Sequence, residues 1–466
     1  MIEKIKHIGN SQKLIEILFI SMFLSILFGS HILTFSIGFM TIYPFVVLVG
    51  ILSLLGVFHL KKIKSKIEKF FLLFLFFWLI YALVFSLKAE GVQDAIIDIR
   101  SLIMMSLVSW VVIWIKGFLG LKKWKSSFMF SFQSIYFLLL FFAIFENALG
   151  IHFIGEFTNK IDESFLNTSF AYSPVYLFDN PNNLVVYLLL TSTIVMLTKE
   201  NLTKHPFLVL FFIISNLLIS VFADSRFGVF VSITMLLFFI ILYYNSIKYW
   251  LLNSSEKKYY IIIVISALVF TFISKEKAFY GPLWNKKESE ILAKKGIAKK
   301  KNNGFFAKVW NYPIPLTEIQ YHSEDTLIKY YDSKKVRIAL ILNGISTLEN
   351  NNYLGLGPGQ YRYLHKQKKQ KFYTKTIISP HFWLIEIVSQ FGVFILIIYL
   401  LFIVWILYLA IRFYKNNSFL NGIILISIFV FFFASIMPSS FLILDINWIF
   451  LAVLIGLVSE NKKQVS

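Results

Sequence analysis

Residues 61–87 read KKIKSKIEKFFLLFLFFWLIYALVFSL, a lysine cluster followed by a stretch from Phe70 to Leu87 that holds no charged residue. That is the length an α-helix needs to cross roughly 30 Å of hydrocarbon, where no other open backbone satisfies its own hydrogen bonds. The pattern recurs. With 69–87 there are twelve such blocks, the others at about 14–30, 41–60, 99–116, 126–148, 183–198, 205–222, 226–245, 258–274, 382–411, 418–437 and 443–459. Only 15% of the 466 residues are charged, against roughly 25% in soluble proteins, so a soluble domain is excluded. The predicted fold class is an all-α polytopic membrane protein with about twelve transmembrane helices. The short apolar segment His31–Met40 reads either as the end of a tilted helix or as an outer turn. Met1 to Ser30 has no small-residue cleavage pattern, and the first helix is expected to remain in the protein.

Charge sets the expected orientation. Lys61, Lys62, Lys64, Lys66 and Lys69 follow the second block, Lys116, Lys122, Lys123 and Lys125 the fourth, Lys257 and Lys258 the eighth, Arg412 and Lys415 the tenth. These fall on one side if both termini are cytoplasmic. The opposite loops are acidic, with Glu90, Asp94 and Asp98 after the third block and Glu146, Glu156, Asp162, Glu163 and Asp179 after the fifth. The chain divides into residues 1–274 with nine spans, a basic extracytoplasmic loop at 275–380, and residues 381–466 with three spans and a cytoplasmic tail. The loop carries 20 Lys and Arg against 8 Asp and Glu, but loops this long escape the positive-inside rule. Its charge suits phosphate or an acidic polymer at the membrane face, or simple solvation.

With no cysteine, disulfides, thiol nucleophiles and thiolate metal sites are excluded. Eight scattered histidines, none spaced with Glu as a metal site requires, predict no metal. Charges within spans are costly and mark candidate sites: Arg100, Arg226, Glu386 and Asp445 all fall near the outer ends of their blocks. The loop closes on Arg337, then Gly355-x-Gly357-x-Gly359, then Ser379-Pro380-His381, then Glu386 and Gly392. The glycines lack the strand and helix of a dinucleotide site and predict a tight backbone path. Ser379-Pro380 reads as a helix start that places His381 in a first turn, where the helix dipole favours neutral imidazole.

The ordered set Asn180-Pro181-Asn182-Asn183, Ser225-Arg226, Arg337, Gly355 to Gly359, and Pro380-His381 with Glu386 and Gly392 resembles the O-antigen ligase and polymerase family, and is similar to capsule and teichuronic acid polymerases. The resemblance covers about residues 95–415. It implies metal- and cofactor-free glycosyl transfer at the outer face of a bacterial plasma membrane, from a polyprenyl-pyrophosphate-linked oligosaccharide. Membrane lipid, a flippase and a chain-length regulator would be its partners, and nucleic acid would not. Carried over by position, Arg226 and Arg337 bind the donor pyrophosphate and His381 is the general base. Glu386 is a second catalytic candidate, and Arg100, Asn180, Asn183, Gly357 and Gly359 are further substrate-binding candidates. Phe382 stands where the family often has Asn, which turns the expectation from ligase toward polymerase. A transporter or flippase of a lipid-linked glycan is the more distant alternative.

Overall fold

The computed structural model describes residues 11–28, 35–37, 40–149, 178, 180–200, 202–223, 225–244, 333–372, 374, 377–412, 418–438 and 440–461. Every apolar block within those residues coincides with a helix; the block at 258–274 lies outside them. The helices are α1 (Gln12–Leu24), α2 (Pro44–Val57), α3 (Lys66–Ser86), α4 (Val92–Leu119), α5 (Leu121–Leu149), α6 (Pro181–Thr198), α7 (Pro206–Phe222), α8 (Arg226–Leu242), α9 (Ser333–Asn350), α10 (Gln360–Lys366), α11 (Trp383–Arg412), α12 (Ser418–Ala434) and α13 (Asp445–Asn461). Local chemistry fixes several starts. Pro44, Pro181 and Pro206 stand at first helical positions, where a missing N–H costs nothing. Asn180 and Ser225 cap α6 and α8 by accepting from the N–H groups of Asn182 and Gly228.

Among the described residues, α3, α4, α5, α6 and α11 are long and apolar enough to cross a membrane, and α2, α7, α8 and most of α12 are shorter apolar helices. The faces they turn outward are greasy: Leu73, Phe76 and Val84 on α3, Leu237 and Ile241 on α8, and Leu401 and Val404 on α11 are all exposed. Water would penalise so continuous an apolar surface, whereas lipid accepts it; with the apolar helices, it makes this an integral membrane protein. At the centre stand α6, buried on every side, and α13, buried from Ile446 to Val458. The first packs on α5, α7, α8, α12 and α13, and the second on α3, α4 and α11.

Three details depart from the sequence reading. Residues 35–37 and 40–42 pair as two short antiparallel strands, the one sheet among the described residues. Helix α4 begins at Val92, so Asp94 and Asp98 are buried helix residues rather than loop acids, and Glu146 is likewise buried within α5. Lys116, expected as a loop charge, is buried in α4, where it pairs with Glu68, lies 3.1 Å from Glu460 and donates to Ser459 and the Gly456 carbonyl. A buried ammonium is tolerable only when its protons are taken up in this way. The cluster fastens α3, α4 and α13 together at one end of the bundle.

Candidate functional site

At the other end lie the N-termini of α2, α4, α6, α8, α11 and α13, and residues 435–438 and 440–444, between α12 and α13, lie among them. Ser225 Oγ donates to Met437 Sδ at 3.3 Å, which brings the α8 cap and its neighbour Arg226 to this loop. Ser440 Oγ and the Phe441 N–H both donate to the carboxylate of Glu386, the latter at 2.6 Å. Asp445 engages the Tyr43 hydroxyl and lies within electrostatic reach of Arg100. Tyr187 of α6 comes close to Asp445 and Tyr43, and Asn183, one turn earlier on the same face, has a buried Oδ1 with no hydrogen-bond partner. Asn180 spends its side chain on the α6 cap.

His381 does not sit in a helix turn. Helix α11 starts two residues later, at Trp383, and His381 has φ of 51°, the left-handed region that non-glycine residues seldom occupy. The bend follows Pro380 and leaves His381 within electrostatic reach of Arg337 of α9. Arg337 is half-buried and acts on the imidazole electrostatically. Burial, and then that guanidinium, push His381 down to about 4, so the ring is neutral at physiological pH. Helix α11 begins only at Trp383, so no helix turn holds His381 as the sequence reading expected; burial of the ring, and the neighbouring cation, lower its pKa instead. His381 Nδ1 is buried without a hydrogen-bond partner. His365 is the contrast. Its Nδ1 lies 2.9 Å from the Tyr361 carbonyl and its Nε2 lies 3.3 Å from Asn343 Nδ2, so a single neutral tautomer satisfies both contacts.

The glycine run has a structural task. Leu356 and Gly357 N–H groups donate to the carbonyls of Ser389 and Gln390, each at 2.8 Å, where α11 is broken by Gly392 at φ of 79°. Gly359, at φ of 73°, donates to Asp98 Oδ2 at 2.9 Å and sits so close that a Cβ would collide with the Asp94 backbone. Sequence reading missed the partners that make this possible. Arg362 pairs with Asp98, and Lys366 lies 2.7 Å from Asp94. The signal was present in Arg362 and Lys366 following the glycines, but their acids lie some 270 residues earlier. Gly357 and Gly359 therefore face α3 and α4 backbone, and no group of three or more His, Asp or Glu able to hold a metal occurs among the described residues.

The arrangement thus holds two half-buried or exposed arginines, a half-buried imidazole and a buried carboxylate at one end of an apolar bundle. Residues 208–400, which include Arg226, Arg337, His381 and Glu386, match a family model described as O-Antigen ligase. The chain is also 31% identical over 149 residues to the "Teichuronic acid biosynthesis protein TuaE" of Bacillus subtilis, a match that covers 30% of this chain and 30% of that protein. Residues 208–400 thus resemble the family described as O-Antigen ligase, and the chain spans less than a third of the relative it matches.

Proposed function

We propose that the protein is a surface-polysaccharide polymerase, which moves a glycan from polyprenyl pyrophosphate to a hydroxyl of another lipid-linked repeat unit. The observation that carries this reading is His381, half-buried with an unpartnered Nδ1 within electrostatic reach of Arg337, inside the segment that matches the family. In the reaction the acceptor oxygen bonds to the anomeric carbon, the bond from that carbon to the pyrophosphate oxygen breaks, and the acceptor proton passes to the imidazole. Polyprenyl pyrophosphate leaves as an anion. Arg226 and Arg337 neutralise its growing charge with the planar donor fork that suits phosphate oxygens, and no metal is required. The enzyme otherwise has to align the two substrates, an effect of large magnitude by itself.

In this reading about twelve spans cross a bacterial plasma membrane, one of them the block at 258–274. Helices of seventeen residues such as α7 and α8 are at the lower limit for crossing, and α2, at fourteen residues, is below it. The termini are cytoplasmic and the His381 end faces outward. A ligase that passes finished polymer to another acceptor is the second reading, favoured by the description of the matching family; Phe382 after His381 favours the polymerase. Mass analysis of lipid-linked glycans in a deletion strain separates them. Single repeat units should accumulate if polymerisation is lost, whereas accumulation of full-length lipid-linked polymer would identify the ligase.

A further inference from the structure

Sequence makes Glu386 a catalytic candidate, but its surroundings give it another part. The residue is 3% exposed, with one carboxylate oxygen taken by the Ser440 hydroxyl and the other by the Phe441 N–H. A group that transfers a proton must come within hydrogen-bond reach of the reacting atom, and both oxygens are instead turned onto the loop between α12 and α13. That loop is gripped from the far side too. Asn447 Nδ2 and Trp448 Nε1 of α13 donate to the carbonyls of Phe441 and Leu442 at 3.1 and 3.2 Å. Its flanks are the contacts that matter for cations: Met437 meets the cap residue in front of Arg226, and Asp445 meets Tyr43 and faces Arg100.

We infer that Glu386 is a positioning residue, which grips residues 440–441 and so fixes the loop that sets the places of Arg226 and Arg100. This rests on the reading in which those arginines receive the donor pyrophosphate. It differs from a catalytic role in what substitution should do. Glutamine still accepts from the Phe441 N–H through its amide oxygen, and Ser440 can rotate its hydroxyl to accept from the amide, but glutamine cannot carry a proton.

The experiment compares purified Glu386→Gln, Glu386→Ala, Ser440→Ala and His381→Ala proteins in polymerisation of lipid-linked repeat units. Glu386→Gln should stay within about threefold of the parent, whereas Glu386→Ala should lose at least about tenfold, the worth of one hydrogen bond to a charged group. The loss should appear in kcat/KM for the lipid-linked donor, with Ser440→Ala changed in the same direction by less. If Glu386→Gln elutes like the parent yet is as inactive as Glu386→Ala, the carboxylate itself is needed and the inference is wrong. An unchanged kcat/KM in Glu386→Ala would also overturn it. His381→Ala keeps the two readings apart: activity in that variant removes the proposed reaction without touching the role of Glu386, and inactivity there beside an active Glu386→Gln supports both.

Discussion

Two histidines near the end of the large loop separate structural from chemical use of the same side chain. His365 has both nitrogens in contact, with the Tyr361 carbonyl and Asn343, and burial keeps it below its ordinary range. His381 has a buried nitrogen with no partner, in a backbone conformation that costs of order 1 kcal/mol or more for a residue with a Cβ. If His381 is the base, general base assistance of roughly 10²- to 10⁴-fold is at stake. His381→Ala should lower polymer formation by that factor, and His381→Gln, which can hydrogen-bond but not take the proton, should be nearly as poor. Near-parental turnover by His381→Gln would reduce the site to charge stabilisation by arginine. The pH dependence follows from the same enclosure. With the folded group at about 4, kcat/KM should hold level from about pH 8 to about 5.5 and fall only toward 4, since kcat/KM reports the free enzyme. An acid limb centred on the ordinary histidine value near 6.5 would mean a solvated ring. Stability carries the matching sign. Between those two values the unfolded chain binds a proton that the folded ring refuses, so this contribution is complete above 6.5 and is lost as pH falls to 4.

Among elements, the joint between α4, α10 and α11 shows what a glycine run is for when it binds no nucleotide. Gly359 and Gly392 both have positive φ, and each is pressed against a neighbouring backbone. Gly359→Ala adds left-handed strain of roughly 1–2 kcal/mol to a collision with the Asp94 main chain that no rotamer relieves, typically another 1–3 kcal/mol. Its unfolding midpoint in detergent should drop by several degrees, whereas Gly50→Ala, in a helix with nothing within 4 Å, should be neutral or slightly stabilised. Equal midpoints for the two would remove the joint as a stability element. The same joint marks where sequence reading stops. Apolar runs exposed nearly every described helix because lipid demands length and uniform hydropathy. The first turns of α4 were hidden because Asp94 and Asp98 read as loop charges, and only Arg362 and Lys366, far along the chain, make their burial affordable. Arg226, Arg337 and His381 were legible as residue types in order. The left-handed turn at His381 and the grip of Glu386 on Ser440 were not, because both depend on packing between α11 and segments remote in sequence.

For the molecule as a whole, the net charge of +20 is distributed unevenly enough to make a claim about sidedness. One end of the bundle is fastened by the buried Lys116 cluster and flanked by the exposed Lys61, Lys62, Lys64, Lys66 and Lys69. The other gathers Arg100, Arg226, Arg337, His381 and Glu386. Short lysine-rich connections stay in the cytoplasm, and the proposed reading accordingly puts the first end inside and the candidate site outside. In that reading the basic segment 275–380 is external; its described final part packs on the bundle, since α9 and α10 fold back onto α11 and α4. Because the chain has no cysteine, single cysteines report sidedness without background. With Ser65→Cys, just before α3, and Asn303→Cys, in the basic segment, a membrane-impermeant thiol reagent should label Asn303→Cys in intact cells and Ser65→Cys only after lysis. Labelling of both in intact cells, or of Ser65→Cys alone, would invert or dissolve the sidedness. The arginines and His381 would then lose access to a glycan presented at the outer face, and the proposed reaction would lose its substrate.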